Sequence, residues 1–149
     1  MRLEGTYTFN APRDVVYKLL LDPAALKACM PGCERLEETS PDVFEAIMKV
    51  GVASVKGTFT GKVQMKEKRP PEAFTMLVEG SGLAGFMKGE GHLELADQGS
   101  KTEVKYSGDA QVGGLIAGVG QRMIGGVAKM MVGQFFKMME DQLGKGGAR

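Results

Sequence analysis

The sequence is poor in the residue types on which most catalytic and metal sites depend. Its 149 residues include two cysteines, one histidine and no tryptophan. Two cysteines are too few for a disulfide scaffold, and one histidine is too few for a histidine-rich metal site. We therefore expect no catalytic residues, no metal ligands and no covalently bound cofactor.

Charge of one sign and long apolar runs are also lacking. Nineteen basic and eighteen acidic residues leave a net charge of +1, which argues against a general nucleic-acid binder. Arg122 and Lys129 interrupt the richest apolar stretch, so no transmembrane helix is predicted. The N-terminal segment carries Glu4 and no apolar signal region, and we expect a cytoplasmic protein.

The first part of the chain has the pattern of a strand followed by two short helices. Apolar and polar residues alternate over residues 2–9, which predicts a strand with one polar face. Pro12 suits the first turn of a helix, and Asp22 can cap a second helix that begins at Pro23. Period-two alternation over 33–112 then predicts several antiparallel strands joined by hairpins.

The last part has the period of a helix. From about Leu115 to Leu143 apolar residues recur with a period of 3.6, which predicts one long amphipathic helix. Its apolar stripe is predicted to contain Ile116, Gly120, Ile124, Val127, Met131, Phe135 and Met138. Val132, Phe136 and Met139 fall outside that stripe, where they would be available to a membrane surface or a partner protein.

This order of elements fits an α+β fold in which one curved antiparallel sheet wraps around a long C-terminal helix. The apolar face of the sheet and the apolar stripe of the helix must bury each other. We expect a single domain over residues 1–143, followed by a flexible tail at residues 144–149.

Three local motifs have ordinary structural explanations. Residues 80–85 match the G-x-G-x-x-G pattern of dinucleotide-binding loops, but a strand-like segment follows, and a glycine-rich hairpin is the better interpretation. Cys29 and Cys33 lack the C-x-x-C spacing of redox motifs and are predicted to be buried or turn residues. His92 falls on the polar side of its strand and is predicted to be exposed.

An adaptable apolar surface is the feature that the composition favours. The chain has 11 methionines and 22 glycines, and methionine is common where an apolar surface must adapt to its partner. Glycine in a helix interior costs about 1 kcal/mol relative to alanine, so the glycines of the predicted helix indicate close packing or movement. Together these features predict a pocket that opens to admit an apolar ligand. Ordinary core filling is the alternative explanation for any single methionine.

Several motifs, in the same order, resemble the CoxG family of carbon monoxide dehydrogenase subunits, which belongs to the START-like, or SRPBCC, helix-grip superfamily. The resemblance covers nearly the whole chain and rests on APRDVVY at 11–17, DPAAL at 22–26, CMPGCE at 29–34, VKGTFTG at 55–61, PP at 70–71, the glycine-rich segment 80–91 and VGGL at 112–115. It implies a helix-grip fold that encloses an apolar cavity between the sheet and the last helix.

The same resemblance implies a non-enzymatic protein that binds a quinone, plausibly menaquinone, or a lipid. Such a protein would be accessory to a molybdenum hydroxylase of the carbon monoxide dehydrogenase type and would link that enzyme to the membrane quinone pool. Some family members extend into a membrane-anchoring tail, whereas this sequence ends at Arg149. We expect only transient contact with the inner face of the membrane, near Phe136.

The predicted ligand site has a sheet wall, a helix wall and a gate. The sheet wall is expected to contain Phe59, Val63, Met76, Val78, Leu93, Val104 and Tyr106. The helix wall is expected to contain Ile124, Val127, Met131 and Phe135. The gate is expected to contain Leu83, Phe86 and Met87, with hinges at Gly80, Gly82 and Gly85. Tyr106 is expected to donate a hydrogen bond to a ligand carbonyl, because an unpaired buried hydroxyl is costly.

Two other functions are compatible with the sequence. An assembly or recruitment adaptor would bind its partner through the surface around Arg122 and Lys129, with a packed interior. An enzyme of the polyketide cyclase kind, which the same superfamily contains, would need acid–base groups that face the cavity. The predicted inward residues include almost none.

Overall fold

One antiparallel sheet and three α-helices account for most of the described chain. The computed structural model describes residues 1–52 and 55–143, so the predicted tail at 144–149 lies outside the described residues. In chain order the elements are β1 (Arg2–Phe9), α1 (Arg13–Leu20), α2 (Pro23–Cys29), β2 (Cys33–Ser40), β3 (Val43–Val52), β4 (Val55–Arg69), β5 (Ala73–Gly82), β6 (Gly85–Gln98), β7 (Lys101–Gly113), a 3₁₀ helix (Leu115–Val119) and α3 (Gln121–Gln142). The predicted order of strand, two short helices, strands and C-terminal helix is confirmed.

The seven described strands form a single sheet in the order β1-β7-β6-β5-β4-β3-β2. Strands β2 to β7 are hairpin neighbours, whereas β1 pairs with β7, with Gly5 opposite Tyr106. Since β1 and β2 are consecutive in the chain but lie at opposite edges, α1 and α2 connect the two edges. α2 contacts both β2 and α3. The predicted α+β fold class, a curved antiparallel sheet with a long C-terminal helix, is confirmed.

The residues that were expected to begin the second short helix, Asp22 and Pro23, do so in the structure. The Asp22 side chain caps α2 by accepting a hydrogen bond from the backbone N–H of Ala24 at 3.1 Å, and Pro23 occupies the first turn. α1 is anchored to the sheet by buried Tyr17, whose hydroxyl donates a hydrogen bond to the carbonyl oxygen of Ala73 at 3.0 Å.

The C-terminal helix is shorter than predicted. One continuous helix from about Leu115 was expected, but α3 begins at Gln121 and a separate 3₁₀ helix precedes it. Gly120 has a φ of 95°, in the left-handed region that a right-handed helix does not use. The prediction was wrong because glycine adopts this conformation without steric cost, and the chain turns there.

The stripe of α3 that packs into the main core also differs from the predicted one. Phe136 and Met139 are 3% and 0% exposed and belong to the main core, against which Val132 also packs. Met138, which was expected to be buried, is 38% exposed. At about 100° per residue, the buried residues lie roughly 100° round the helix from the predicted stripe. The expected exposure of Val132, Phe136 and Met139, and with it the membrane contact near Phe136, is therefore wrong.

Aromatic rings hold α3 against β1. The Phe136 ring stacks on Tyr7, with 5.4 Å between centroids and 15° between planes, and meets Phe9 edge-on at 6.0 Å. The ring of Tyr106, on β7, lies 5.1 Å from that of Phe136. Such ring pairs stabilise a fold by about 0.5–1.5 kcal/mol each beyond the burial of their area. The best-packed part of the domain is therefore at this end of the sheet.

Candidate functional site

Five glycines lie next to one another on the inner face of the sheet, the face that carries the main core. Leu93 belongs to the same core as Phe136 of α3, and strand alternation puts Gly91 and Gly89 on the same face as Leu93. The register sets Gly61 opposite Gly80 and Gly91 opposite Gly108. We call these five residues the glycine floor: Gly61, Gly80, Gly89, Gly91 and Gly108.

Side chains of α3 do not cover the middle of the glycine floor. A Cβ atom built on Gly91 would have one neighbour within 4 Å, the carbonyl oxygen of Ser107 at 3.9 Å. On Gly61 it would meet only two carbonyl oxygens of the sheet, at 3.2 and 3.9 Å. Gly5, outside the floor, is covered, because a Cβ there would lie 2.5 Å from the hydroxyl oxygen of Tyr106. At Gly61 and Gly91, the middle of the glycine floor, no side chain lies within 4 Å of a built Cβ atom.

Buried apolar residues lie on both sides of the glycine floor. The main core, which includes Leu93, lies at the end where Phe136 packs. Phe59, Ile116 and Val127 are also buried but do not belong to that core. Smaller groups of buried residues beside a main core are ordinary, and the space over the uncovered glycines lies between Ile116, which approaches Gly85, and Leu93. We call this space, between the glycine floor and α3, the groove.

The predicted sheet wall falls into two parts. Four of its residues are buried by other protein atoms: Phe59, Val63, Leu93 and Val104. The other three are partly exposed on the inner face beside the glycine floor: Met76, Val78 and Tyr106. These three also pack against the main core, and the ligand contacts of all seven predicted residues stay a prediction.

The predicted helix wall lies on the stripe of α3 that the main core leaves partly uncovered. Ile124, Met131 and Phe135 are partly exposed, and Val127 is buried outside the main core. Phe135 also packs on the edge of the main core and meets the ring of Phe136 at 5.5 Å. α3 thus has two apolar stripes. One packs against β1, and the other is partly exposed to solvent.

The predicted gate segment is a tight hairpin. β5 ends at Gly82 and β6 begins at Gly85, so that Leu83 and Ala84 form the turn. The preference for a glycine-rich hairpin over a dinucleotide loop is confirmed, since no helix opens after Gly85. The side chain of Leu83 is fully exposed.

Only one of the two gate residues on β6 faces the groove. Met87 lies on the inner face opposite Gly80. Phe86 is its neighbour in the strand and therefore points to the outer face, where its ring covers Gly113. Phe86 and Met87 therefore lie on opposite faces of the sheet, away from each other, and the ligand contact of Phe86 stays a prediction.

Met76, Val78 and Tyr106 are the partly exposed residues beside the glycine floor, and of these three only Tyr106 has a polar side chain. Its hydroxyl lies over Gly5, on the β1 side of the groove. No hydrogen bond joins this hydroxyl to any residue within 1–52 or 55–143. The phenol therefore keeps its donor capacity for water or for a ligand that reaches the space over Gly5.

The charges of the central strands lie on the outer face. Glu45, Lys62, Glu79 and Lys88 follow one another across β3 to β6 in register. A depression of about 760 Å³ on this face is lined by those four residues, by hydroxyl-bearing side chains and by Phe86, and Gly61, Gly80 and Met87 also contribute to its lining. The groove on the inner face suits an uncharged and mainly apolar molecule instead, because an unpaired charge is costly to bury.

The thiols and the imidazole lie away from the groove. His92 is exposed on the outer face, as predicted, and its Nδ1 lies 3.0 Å from the hydroxyl oxygen of Thr75. Cys29 is buried, as predicted, whereas Cys33 is only partly buried and begins strand β2 instead of lying in a turn. Burial is the main cause that raises the pKa of the Cys33 thiol. The described residues contain no group of three His, Cys, Asp or Glu side chains placed to hold a metal ion.

Sequence reasoning missed the glycine floor as a functional feature. The available signal is in β6, where Gly89 and Gly91 occupy the apolar phase while Lys88, Glu90 and His92 occupy the polar phase. A glycine on the apolar phase of a strand removes a side chain from the interior, and it often marks a close approach by another group.

The single curved sheet that packs on a long C-terminal helix is a START-like fold, and comparisons with known proteins support this. A conserved protein from Geobacillus kaustophilus is 34% identical, with a TM-score of 0.94 over 97% of this chain and 96% of that chain. A START superfamily protein from Mycobacterium smegmatis shares the fold at 12% identity, with a TM-score of 0.76 over 97% of each chain. A protein from Chromobacterium violaceum shares it at 15% identity, with a TM-score of 0.71 over 95% of each.

The family model of CoxG, a subunit of carbon monoxide dehydrogenase, matches residues 5–144, and the chain belongs to this family. A search of curated proteins found no match to this chain. Family and fold together favour a hydrophobic-ligand binding protein. Among the described residues, no helix is both long enough and apolar enough to cross a bilayer.

Proposed function

We propose that this protein binds a quinone or a lipid in the groove and carries it without chemical change. The observation that carries the proposal is the uncovered glycine floor, where Gly91 has one protein atom within 4 Å of a built Cβ. A strip of bare backbone between apolar side chains offers a flat surface at van der Waals distance to a planar ring or an extended acyl chain.

The side chains around the groove favour binding over catalysis. Met76, Val78 and Met131 offer apolar and adaptable surface, and Tyr106 offers a single hydroxyl. A quinone carbonyl or an ester carbonyl would accept a hydrogen bond from that hydroxyl, since it has no partner among the described residues. A reaction of the cyclase kind would need acid–base groups, which the groove residues named here do not supply.

An accessory role is part of the same proposal and is supported by the name of the family. The name of the CoxG family associates it with carbon monoxide dehydrogenase. We propose that the protein serves a molybdenum hydroxylase of this type and moves a quinone between that enzyme and the membrane. It would then act in the cytoplasm and at the inner face of the membrane.

Native mass spectrometry of protein purified from its own host without detergent tests the proposal. The expected result is an added mass in one-to-one ratio, which solvent extraction releases and identifies as a quinone or a lipid. A protein that is empty, and that gains no thermal stability from added quinones or lipids, would refute ligand carriage.

An adaptor is the second candidate, and the charge of α3 favours it. α3 carries Arg122, Lys129 and Lys137, and its acidic residues Glu140 and Asp141 both lie in its last turn, so the helix is basic over the rest of its length. An adaptor would bind its partner through these side chains. Charge reversal at Arg122 and Lys129 should then abolish partner binding in a pull-down while uptake of a small molecule is unchanged.

A further inference from the structure

Four charged side chains of alternating sign form a row across the outer face of the sheet. The register places them opposite one another on four neighbouring strands: Glu45 on β3, Lys62 on β4, Glu79 on β5 and Lys88 on β6. We call these four residues the charge row. All of them are exposed, and none forms a salt bridge or a side-chain hydrogen bond with a residue within 1–52 or 55–143. The charge row is therefore available to another molecule.

The order of charges in the charge row matches itself under a two-fold rotation. An axis that runs along the strands, between β4 and β5, exchanges β4 with β5 and β3 with β6. When this rotation lays a second copy of the chain on the outer face, Glu45 of each copy faces Lys88 of the other. Lys62 of each copy likewise faces Glu79 of the other. All of these pairs join opposite charges.

Charge also excludes the other simple way to stack two copies. A two-fold axis across the strands would lay each strand on its own counterpart, so that Glu45 would face Glu45 and Lys62 would face Lys62. Like charges that face each other across an interface are costly. The charge row therefore selects one orientation, in which the strands of the two sheets run side by side, as they do in aligned sheet packings.

The neighbouring row on the same face fits the same rotation. It contains, in register, Ile47, Thr60, Ser81 and Phe86. The rotation sets Ile47 of one copy against Phe86 of the other, and Thr60 against Ser81. Apolar side chains then meet apolar ones, and hydroxyl groups meet hydroxyl groups. Phe86 is 50% exposed, and aromatic side chains are enriched where proteins associate.

The row on the other side of the charge row does not oppose this arrangement. It contains, in register, Val43, Gln64, Leu77 and Glu90. The rotation sets Glu90 against Val43 and Gln64 against Leu77, so no like charges meet. Glu90 already has a partner in its own chain, because Lys66 Nζ lies 3.8 Å from its carboxylate.

The shape of the outer face leaves room for a second copy. The depression of about 760 Å³ is lined by the charge row, and Thr60, Ser81 and Phe86 also line it. It can receive the long side chains of an opposing charge row. We propose that the outer face of the sheet binds a second copy of this chain, in a two-fold symmetric dimer whose axis runs along the strands between β4 and β5.

This dimer goes beyond the proposed function and does not depend on it. The groove lies on the inner face of the sheet, so that both grooves of the dimer stay uncovered. Dimerisation and ligand binding can therefore be measured separately, and the failure of one leaves the other standing.

Sedimentation equilibrium of the unliganded protein tests the proposal. The matching rows cover only the four central strands, and small interfaces of this kind are weak. The measurement should therefore extend to about 1 mM protein, at low salt, where surface charges act most strongly. The expected result is a monomer–dimer equilibrium that shifts towards monomer as salt is added.

Single charge reversals identify the face that associates. Glu45→Lys and Lys88→Glu each act twice in a symmetric dimer and change two attractions into repulsions. At about fivefold for each pair of exposed charges, either variant alone should dimerise about 30-fold more weakly. Lys101→Glu is the matched control, since it changes the net charge as Lys88→Glu does but lies in the last strand, β7, away from the charge row. It should change the dissociation constant by less than about twofold.

An equimolar mixture of the two weakened variants gives the decisive result. In a mixed dimer the new lysine of one chain faces the new glutamate of the other, and Lys88 of the first chain faces Glu45 of the second. The mixture should therefore regain dimers that neither variant forms alone. Three strand spacings, about 14 Å, separate Glu45 from Lys88 within one chain, so pairing inside the chain cannot explain recovery.

Three outcomes would overturn the proposal. The first is a monomer at every concentration up to about 1 mM. The second is a dimer that Glu45→Lys and Lys88→Glu weaken no more than Lys101→Glu does, because another face would then associate. The third is a mixture that stays monomeric although circular dichroism shows that both variants are folded, because the charge row would then bind a different protein or none.

Discussion

Replacement of Gly91 by valine tests the groove most directly. Gly91 does not have a positive φ, so valine can adopt the native backbone conformation. The new Cβ would have one neighbour within 4 Å, the carbonyl oxygen of Ser107 at 3.9 Å. The added methyl groups would then occupy the space that we assign to the ligand.

The valine should affect ligand binding and the stability of the unliganded protein differently. An additional side chain in a filled apolar site costs about 1–3 kcal/mol, which corresponds to about 5- to 150-fold weaker ligand binding. The unliganded protein has room at Gly91. Its free energy of unfolding should stay the same or rise by up to about 1 kcal/mol, because valine restricts the unfolded chain.

The assay is titration calorimetry with the quinone or lipid that extraction identifies, together with urea denaturation. Gly51→Val is the matched control, since Gly51 is an exposed strand glycine with no atom within 4 Å of its built Cβ. It should change neither affinity nor stability by much. If Gly91→Val folds normally and binds within about twofold of the parent protein, the ligand does not lie on the glycine floor.

Three further changes test the separate parts of the structure. Phe136→Ala should lower the free energy of unfolding by about 3–5 kcal/mol in urea denaturation, whereas Met138→Ala should change it by less than about 0.5 kcal/mol. Met131→Trp should reduce ligand affinity by about tenfold or more in the same titration, and unchanged affinity would remove α3 from the binding site. Burial, with Glu140 and Asp141, raises the pKa of Tyr7 above its ordinary value of 10.0. The folded chain therefore binds the Tyr7 hydroxyl proton more tightly than the unfolded chain does. The contribution of this group to the free energy of unfolding is complete below pH 10, and it is lost as the pH rises from 10 through the raised pKa of the folded state. In Tyr7→Phe, the free energy of unfolding from urea denaturation should fall less between about pH 9 and pH 11 than in the parent protein. An equal fall in both proteins would refute the role of Tyr7 in this pH dependence.

The fold was predictable because its signals are local. Pro23 after Asp22 marks the start of α2, and period-two alternation marks the strands whichever strand pairs with which. The break at Gly120 was not predictable in the same way. Glycine is compatible with a helix interior, at a cost of about 1 kcal/mol, and the alternative depends on how the 3₁₀ helix packs against the hairpin.

The two stripes of α3 show why the site was predicted only in part. Val132, Phe136 and Met139 recur at helical spacing just as Ile124, Met131 and Phe135 do. The period cannot tell which stripe meets β1, since that choice depends on Tyr7 and Phe9, which are more than 120 residues away in sequence. The face on which Phe86 lies was not predictable for a related reason, because a one-residue change of register moves a strand residue to the other face.

The division of the inner face explains how the sheet can tolerate its glycine floor. Glycine weakens a strand because it offers no side chain to pack and loses more conformational entropy on folding than other residues. The stabilising contacts lie elsewhere on the same strands, where Leu93 and Tyr106 join the aromatic cluster of Phe136. A change on the glycine floor should therefore alter binding without unfolding the domain, and a change at Phe136 should unfold the domain before it alters the shape of the groove. That separation is expected only if the uncovered backbone is a binding surface and not an imperfection of the core.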